Sequence, residues 1–141
     1  MATSVQVVID CADPARLAEF WAQALHYTIQ APPSGYETWN DWARAQGLPE
    51  DLNAVVDPDG KGPRVFFQKV PEGKVAKNRM HLDLNVSGDH PISLEERRER
   101  VDAEVARLKA LGASDHRGPI EQHGEYWVRM NDPEGNEFCV Q

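Results

Sequence analysis

Long apolar runs are missing from this 141-residue chain. No stretch approaches the roughly 20 apolar residues that span a bilayer, so no membrane partner is expected. The N-terminal MATSVQVVID lacks a basic region followed by an apolar one, so no secretion signal is expected. Cysteine is scarce. Cys11 and Cys139 form neither a CxxC pair nor a disulfide framework, and a reducing, cytoplasmic setting suits such a chain. Positive charge is also short, 15 Lys and Arg against 23 Asp and Glu, for a formal net charge of −8. Nucleic acid or an anionic membrane would be repelled by that balance. The one basic stretch, Lys74, Lys77 and Arg79, is brief, has no interleaved aromatics and reads as a solvated loop. "EERRER" mixes both signs and reads as an exposed helical face. What remains, 40% hydrophobic and 27% charged residues, is an ordinary globular composition sized for one domain or two small halves sharing a core.

The chain repeats itself. Ser4–Cys11 alternates as a strand, with Val5, Val7, Ile9 and Cys11 on one face and Gln6, Val8 and Asp10 on the other. Asp13 then Pro14 predicts a helix start, and Leu17, Phe20, Trp21, Ala24 and Leu25 make its apolar stripe. In the second half Met80, Leu82, Leu84 and Val86 alternate with His81, Asp83 and Asn85. Ser93 with Glu96 predicts a capping box, Val101, Val105, Leu108 and Leu111 the stripe, and Gly112 the C-cap. A turn signal, DPDG at 57–60 and DPEG at 132–135, precedes a further strand in each half. Strand, helix, turn and strand therefore occur twice in one order, in repeats of about 4–70 and about 79–141 joined by a linker of about 71–78. TWNDWARAQGL in the first half reads as a short inserted helix, and Tyr126–Met130 as the surer of one or two strands in the second. Two strand–helix–strand units bury their faces by lying side by side. The expected fold is α+β: two tandem βαβββ-type repeats in a curved mixed sheet, helices on the convex face and a concave cleft lined by the polar strand faces.

The segments VVIDCADPARLAEFWAQAL, VDPDGKGPRVFFQKVPEGKVAKNRMHLDLNV, DAEVARLKALGA and YWVRMNDPEGNEFCV resemble the vicinal oxygen chelate superfamily, which includes glyoxalase I, extradiol dioxygenases and bleomycin-resistance proteins. They are most similar to the small bacterial glyoxalase-like domain proteins and cover most of the chain outside the Trp39/Trp42 insertion. The resemblance implies a single glyoxalase-like domain, a homodimer, and four cleft-facing metal positions, two per half. Carried over residue by residue, these are Gln6, its repeat partner His81, Gln68, and Glu137, with Cys139 as the alternative in the last place. The ion implied is Fe, Ni, Zn or Mn. Glu137 is the catalytic candidate for moving a proton, and Trp39, Trp42, Phe66, Asp83, Trp127 and Arg129 are the candidates for substrate contact.

The residues themselves limit the chemistry. Gln6 stands where a two-His-one-carboxylate iron site needs its first histidine, which argues against a dioxygenase. Amide oxygens are weak ligands, and Gln68 takes no proton at neutral pH. Trp39 and Trp42 can stack on a planar ligand or pack in a core, and Arg129 can hold an anion bidentately or form a salt bridge. His26, His90, His116 and His123 show no metal-like spacing. Three functions follow: a metal-dependent lyase or isomerase acting on a small carbonyl compound, a metal-free binder of a drug or metabolite with no cofactor, and a domain with a vestigial cleft. In the first two the partner is a small molecule.

Overall fold

The computed structural model describes residues 1–88 and 91–141; His90, which the sequence places in a loop, lies outside them. The chain divides into two compact units, Met1–Gly73 and Lys74–Gln141. Each builds one four-stranded mixed sheet, and the two sheets have the same connectivity. Neither closes into a barrel, and among the described residues no helix is long and apolar enough to cross a membrane.

The first unit runs β1 (Val7–Cys11), α1 (Pro14–Leu25), β2 (Thr28–Ile29), α2 (Trp39–Gln46), β3 (Asn53–Val56) and β4 (Val65–Lys69). Its sheet order is β1-β4-β3-β2, with β1 parallel to β4 and the other pairs antiparallel. Asp13 caps α1, its carboxylate accepting from the Arg16 N–H at 3.1 Å, and Pro14 begins the first turn. The helix lies on β2, β3 and β4, and Leu17, Trp21, Val55, Val65 and Phe67 are all sealed in the core. Burying each such side chain stabilises by about 1.5–3 kcal/mol. The inserted helix is α2. Thr38 and Asp41 close a reciprocal capping box, and Gly47 ends the helix in the left-handed conformation. The expected first strand is shorter than its alternation suggests. It starts at Val7, and Val5, placed on the apolar face by the pattern, is 78% exposed.

The second unit runs β5 (Asp83–Leu84), α3 (Leu94–Leu111), β6 (Ser114–Gln122), β7 (Glu125–Asn131) and β8 (Glu137–Val140). The order is β5-β8-β7-β6, with β5 parallel to β8. The buried Val101, Val105 and Leu108 of α3 lie on the side of β7 and β8, whose Val128, Met130, Phe138 and Val140 are buried too. β6 and β7 are joined at His123 and Gly124, both at positive φ (54° and 77°), the conformation a two-residue hairpin turn demands. The strand expected over Met80–Val86 is reduced to a two-residue ladder. Hydrogen bonds from Cys139 N to Leu82 O and from Val86 N to Gln141 O extend the contact on either side. Met80 falls before the reach of β8 and is 86% exposed.

The duplicated turn owes its sequence to the aspartate. The Asp57 carboxylate accepts the N–H groups of Asp59, Lys61 and Gly62 at 2.7–3.0 Å. Asp132 accepts those of Glu134 and Asn136 at 2.9 and 3.0 Å. In both turns the glycine N–H returns to the aspartate carbonyl, and the glycine sits at positive φ. The Asp59, Gly62 and Lys61 amides hold the Asp57 carboxyl below its ordinary value. A depressed carboxyl contributes stability above its unfolded pKa of about 3.9 and loses it as pH falls through the folded value. Asp57→Ala is therefore expected to lower the thermal midpoint by a few degrees at pH 7. The gap from wild type should narrow as the melts are repeated from pH 5 down to pH 2.

Candidate functional site

The second sheet collects the chemistry on one face. Asp83 pairs with Cys139 across β5–β8, Cys139 with Arg129 across β8–β7, and Arg129 with Gly118 across β7–β6. Directly paired residues point the same way. His81 and Trp127 join them by lying two residues from Asp83 and Arg129. The histidine and acid on one polar strand face meet directly, His81 Nε2 lying 3.2 Å from Asp83 Oδ1. One ligand atom each from His81, Asp83 and Cys139 fall within 4.8 Å of one another.

Cys139 is half-buried. Burial first, then the Asp83 carboxylate, pushes its thiol up, with Arg129 and Lys77 pulling the other way. Without an ion, the group is a protonated thiol beside a carboxylate. A cavity of about 800 Å³ opens over this cluster, lined also by Arg97, Tyr126 and Trp127. A smaller cavity of about 260 Å³ shares His81, Trp127 and Cys139 and adds Lys77, His116 and Arg129. The Tyr126 hydroxyl donates to Asp102 at 2.7 Å. Burial and that carboxylate push the phenol up to about 12, so it stays neutral at ordinary pH.

Glu137 is committed elsewhere. Its carboxylate lies 3.0 Å from Lys74 Nζ and accepts the Asn78 N–H at 3.0 Å. Burial opposes its ionisation, but the Asn78 amide and the Lys74 ammonium outweigh burial and hold it at about 2. A carboxylate with that pKa is a weak proton acceptor near neutrality.

The other sequence candidates lie in the first unit. Gln6 Oε1 accepts from Arg64 Nη1 at 2.8 Å, and Arg64 Nε donates to Gln30 Oε1 at 2.6 Å. The Arg64 guanidinium lies over the Phe66 ring, 5.3 Å from its centroid. Trp39 donates its indole N–H to the Gln30 carbonyl at 2.7 Å and packs edge-to-face on Trp42 with centroids 5.4 Å apart. Trp39 also lines a cavity of about 340 Å³ beside Gln30 and Pro32. Gln68 pairs with Asp10 in the parallel register and is exposed.

Arg97 escaped the sequence reading. It belongs to EERRER, read as an exposed face, yet it is 8% exposed and donates to Glu125 Oε2 and the Gly124 carbonyl, both at 2.7 Å. The signal was its spacing: Arg97 stands four residues before Val101, on the apolar stripe of α3. Lys74 and Lys77, read as solvated loop, hold Glu137 and line the smaller cavity respectively.

Residues 6–141 match the glyoxalase-like domain family. Among solved structures, the chain is similar to a glyoxalase/bleomycin resistance protein/dioxygenase family enzyme from Burkholderia phytofirmans, at 16% identity and a TM-score of 0.64, over 96% of this chain and 94% of that one. It is similar to a possible glyoxalase from Bacillus cereus at 18% identity and a TM-score of 0.62, over 100% and 99%. A mutant of the fosfomycin resistance protein FosX from Listeria monocytogenes, solved with Mn(II) and 1S,2S-dihydroxypropylphosphonic acid, matches at 13% identity and a TM-score of 0.62, over 100% and 90%. At these identities the likeness is one of fold. No curated protein matches the chain.

Proposed function

The chain belongs to the glyoxalase-like domain family, and on that premise we propose that its second repeat binds a small organic molecule at a divalent-metal centre held by His81, Asp83 and Cys139. The observation that carries this reading is the convergence of the three ligand atoms within 4.8 Å under a cavity of about 800 Å³. The donor set fits: an imidazole, a carboxylate and a thiolate suit zinc and its borderline neighbours, and three protein ligands leave a position open for substrate. The Mn(II) in the FosX structure supports a metal in this fold. When bound, the ion supplies Lewis-acid polarisation of a carbonyl oxygen, the chemistry a glyoxalase-type lyase or isomerase needs. Around it the chain supplies orientation: Trp127 and Tyr126 wall the cavity, and Arg97, tied to Glu125 and the Gly124 carbonyl, fixes the hairpin that carries them. Glu137 serves on this reading to anchor Lys74 and Asn78.

A metal-free binding protein is the second reading. It is favoured by the direct contact of His81 Nε2 with Asp83 Oδ1 at 3.2 Å, which partners both groups without an ion. Elemental mass spectrometry on protein purified without a histidine tag separates the two. Near-stoichiometric zinc, nickel, iron or manganese in the wild type, lost in His81→Ala, is the expected result. No metal after incubation with each ion would leave only the metal-free reading. The homodimer belongs to the same proposal and is checked by sedimentation velocity.

A further inference from the structure

We propose that the smaller cavity of the second unit is a carboxylate subsite, in which Arg129 and Lys77 grip the anionic head of a small flat organic acid and Trp127 and Ile120 cover its apolar body. The inference deepens the small-molecule reading above and rests on it, but it does not require a metal.

Arg129 is the leading observation. Its Nε is buried and has no hydrogen-bond partner, and among the described residues no carboxylate pairs with its guanidinium. An unpaired buried polar group is costly, and a native structure that keeps one invites an explanation. The neighbouring acids are otherwise engaged. Glu137 is held by Lys74 at 3.0 Å, Asp115 by Lys109 at 2.8 Å, and Asp83 faces His81 at 3.2 Å. Arg64 in the first unit also lacks a carboxylate, but it donates to Gln6 and Gln30, whereas the buried Nε of Arg129 donates to nothing.

The surroundings supply the rest. Lys77, His81 and His116 line the same cavity as Arg129, and Trp127, Ile120 and Phe138 give it apolar walls; Glu137 also lines it, with its carboxylate neutralised by Lys74. The cation lies at one end of the Arg129–Cys139–Asp83 row and the acid at the other. An anionic head is thus drawn to the Arg129 side and repelled from Asp83. A guanidinium presents a planar fork that matches a carboxylate in two parallel hydrogen bonds, while the lysine adds a point charge. A flat body fits beside the indole, where stacking adds to burial.

The test is isothermal titration of the full chain, treated with chelator, with benzoate, its neutral isostere benzamide, and inorganic phosphate. Saturable benzoate binding is expected, with benzamide and phosphate each weaker by about tenfold or more. Arg129→Gln should lose about tenfold in benzoate affinity while leaving benzamide unchanged, and Arg129→Lys should recover part of it. Thermal melts of both variants check that they fold. Lys61→Gln, which removes an exposed cation from the first unit, should leave benzoate affinity unchanged. Equal affinity for benzoate and benzamide, phosphate binding as tight as benzoate, no saturation at millimolar benzoate, or an unaltered Arg129→Gln would each overturn the subsite. Repeating the titration after zinc loading keeps the two readings separable. Benzoate discrimination without any metal uptake sinks the metal centre alone, and metal uptake without discrimination sinks the carboxylate subsite alone.

Discussion

Cys139→Ser is expected to weaken cobalt or zinc binding by about 100-fold or more and to erase the near-ultraviolet thiolate-to-cobalt absorption of the loaded protein. Serine is close in shape to cysteine and sits here on a half-buried strand position, so the sheet should survive the change. A neutral hydroxyl replaces the softest of the three donors, and changes even to residues behind a metal's ligands cost 10–100-fold in affinity. The decisive partner experiment is Glu137→Gln. If the ions were held by the set the resemblance implies, Gln6, Gln68 and His81, with Glu137 and not its alternative Cys139 in the last place, this variant would lose cobalt and Cys139→Ser would keep it. With His81, Asp83 and Cys139 as ligands, Glu137→Gln should bind cobalt within about threefold of wild type. It should instead lose stability, because Lys74 would be left without its carboxylate partner 3.0 Å away. A cobalt titration followed by absorbance reads both outcomes.

Asp132→Ala is expected to destabilise the protein by about 2–4 kcal/mol in equilibrium denaturation, more than any surface change in the chain. Asp132 is 2% exposed. It accepts from the backbone N–H groups of Glu134 and Asn136 and from the Asn136 side-chain amide at 2.9–3.2 Å. Alanine strands these donors where water reaches them poorly, and each unsatisfied buried group costs about 1–3 kcal/mol. Asp57 makes the same kind of bonds in the other turn but stands near solvent, so water replaces much of what Asp57→Ala removes. Asp132→Asn keeps one acceptor oxygen and should cost roughly half as much as alanine. Equal losses for Asp57→Ala and Asp132→Ala would show that burial does not set the scale.

The helices and the duplication were legible because their signals are local. Asp13 with Pro14 and Ser93 before Glu96 are decided by a few adjacent residues, and both caps formed, although the Glu96 carboxylate accepts from Arg100 instead of closing the expected box. Strand limits were not, because they depend on a partner far along the chain. Alternation carried the strand back to Met80, but β8 is four residues long and pairs only Asp83 and Leu84. The site divides on the same line. That His81 and Asp83 share a face follows from strand parity alone. That Cys139 faces Asp83, while Glu137 is drawn to Lys74, depends on a register and a loop contact that no short window contains. The burial of Arg97 was hidden by charge, since a run of alternating ions reads as solvated even when one member lies on the apolar stripe.

The parallel pairs have a kinetic consequence. In each unit the first strand pairs with the last: Val7 waits for Val65, and Asp83 for Cys139. The helix and the antiparallel strands between them can form from neighbouring residues, but the outer strand has no ladder until nearly the whole repeat is available. Closing so long a loop is entropically slow. On a ribosome, β5 would emerge and remain unpaired until β8 cleared the exit tunnel. His81 and Asp83 would then gain their thiol neighbour in the last step of the second sheet's assembly, so the cluster forms only as folding of that unit finishes.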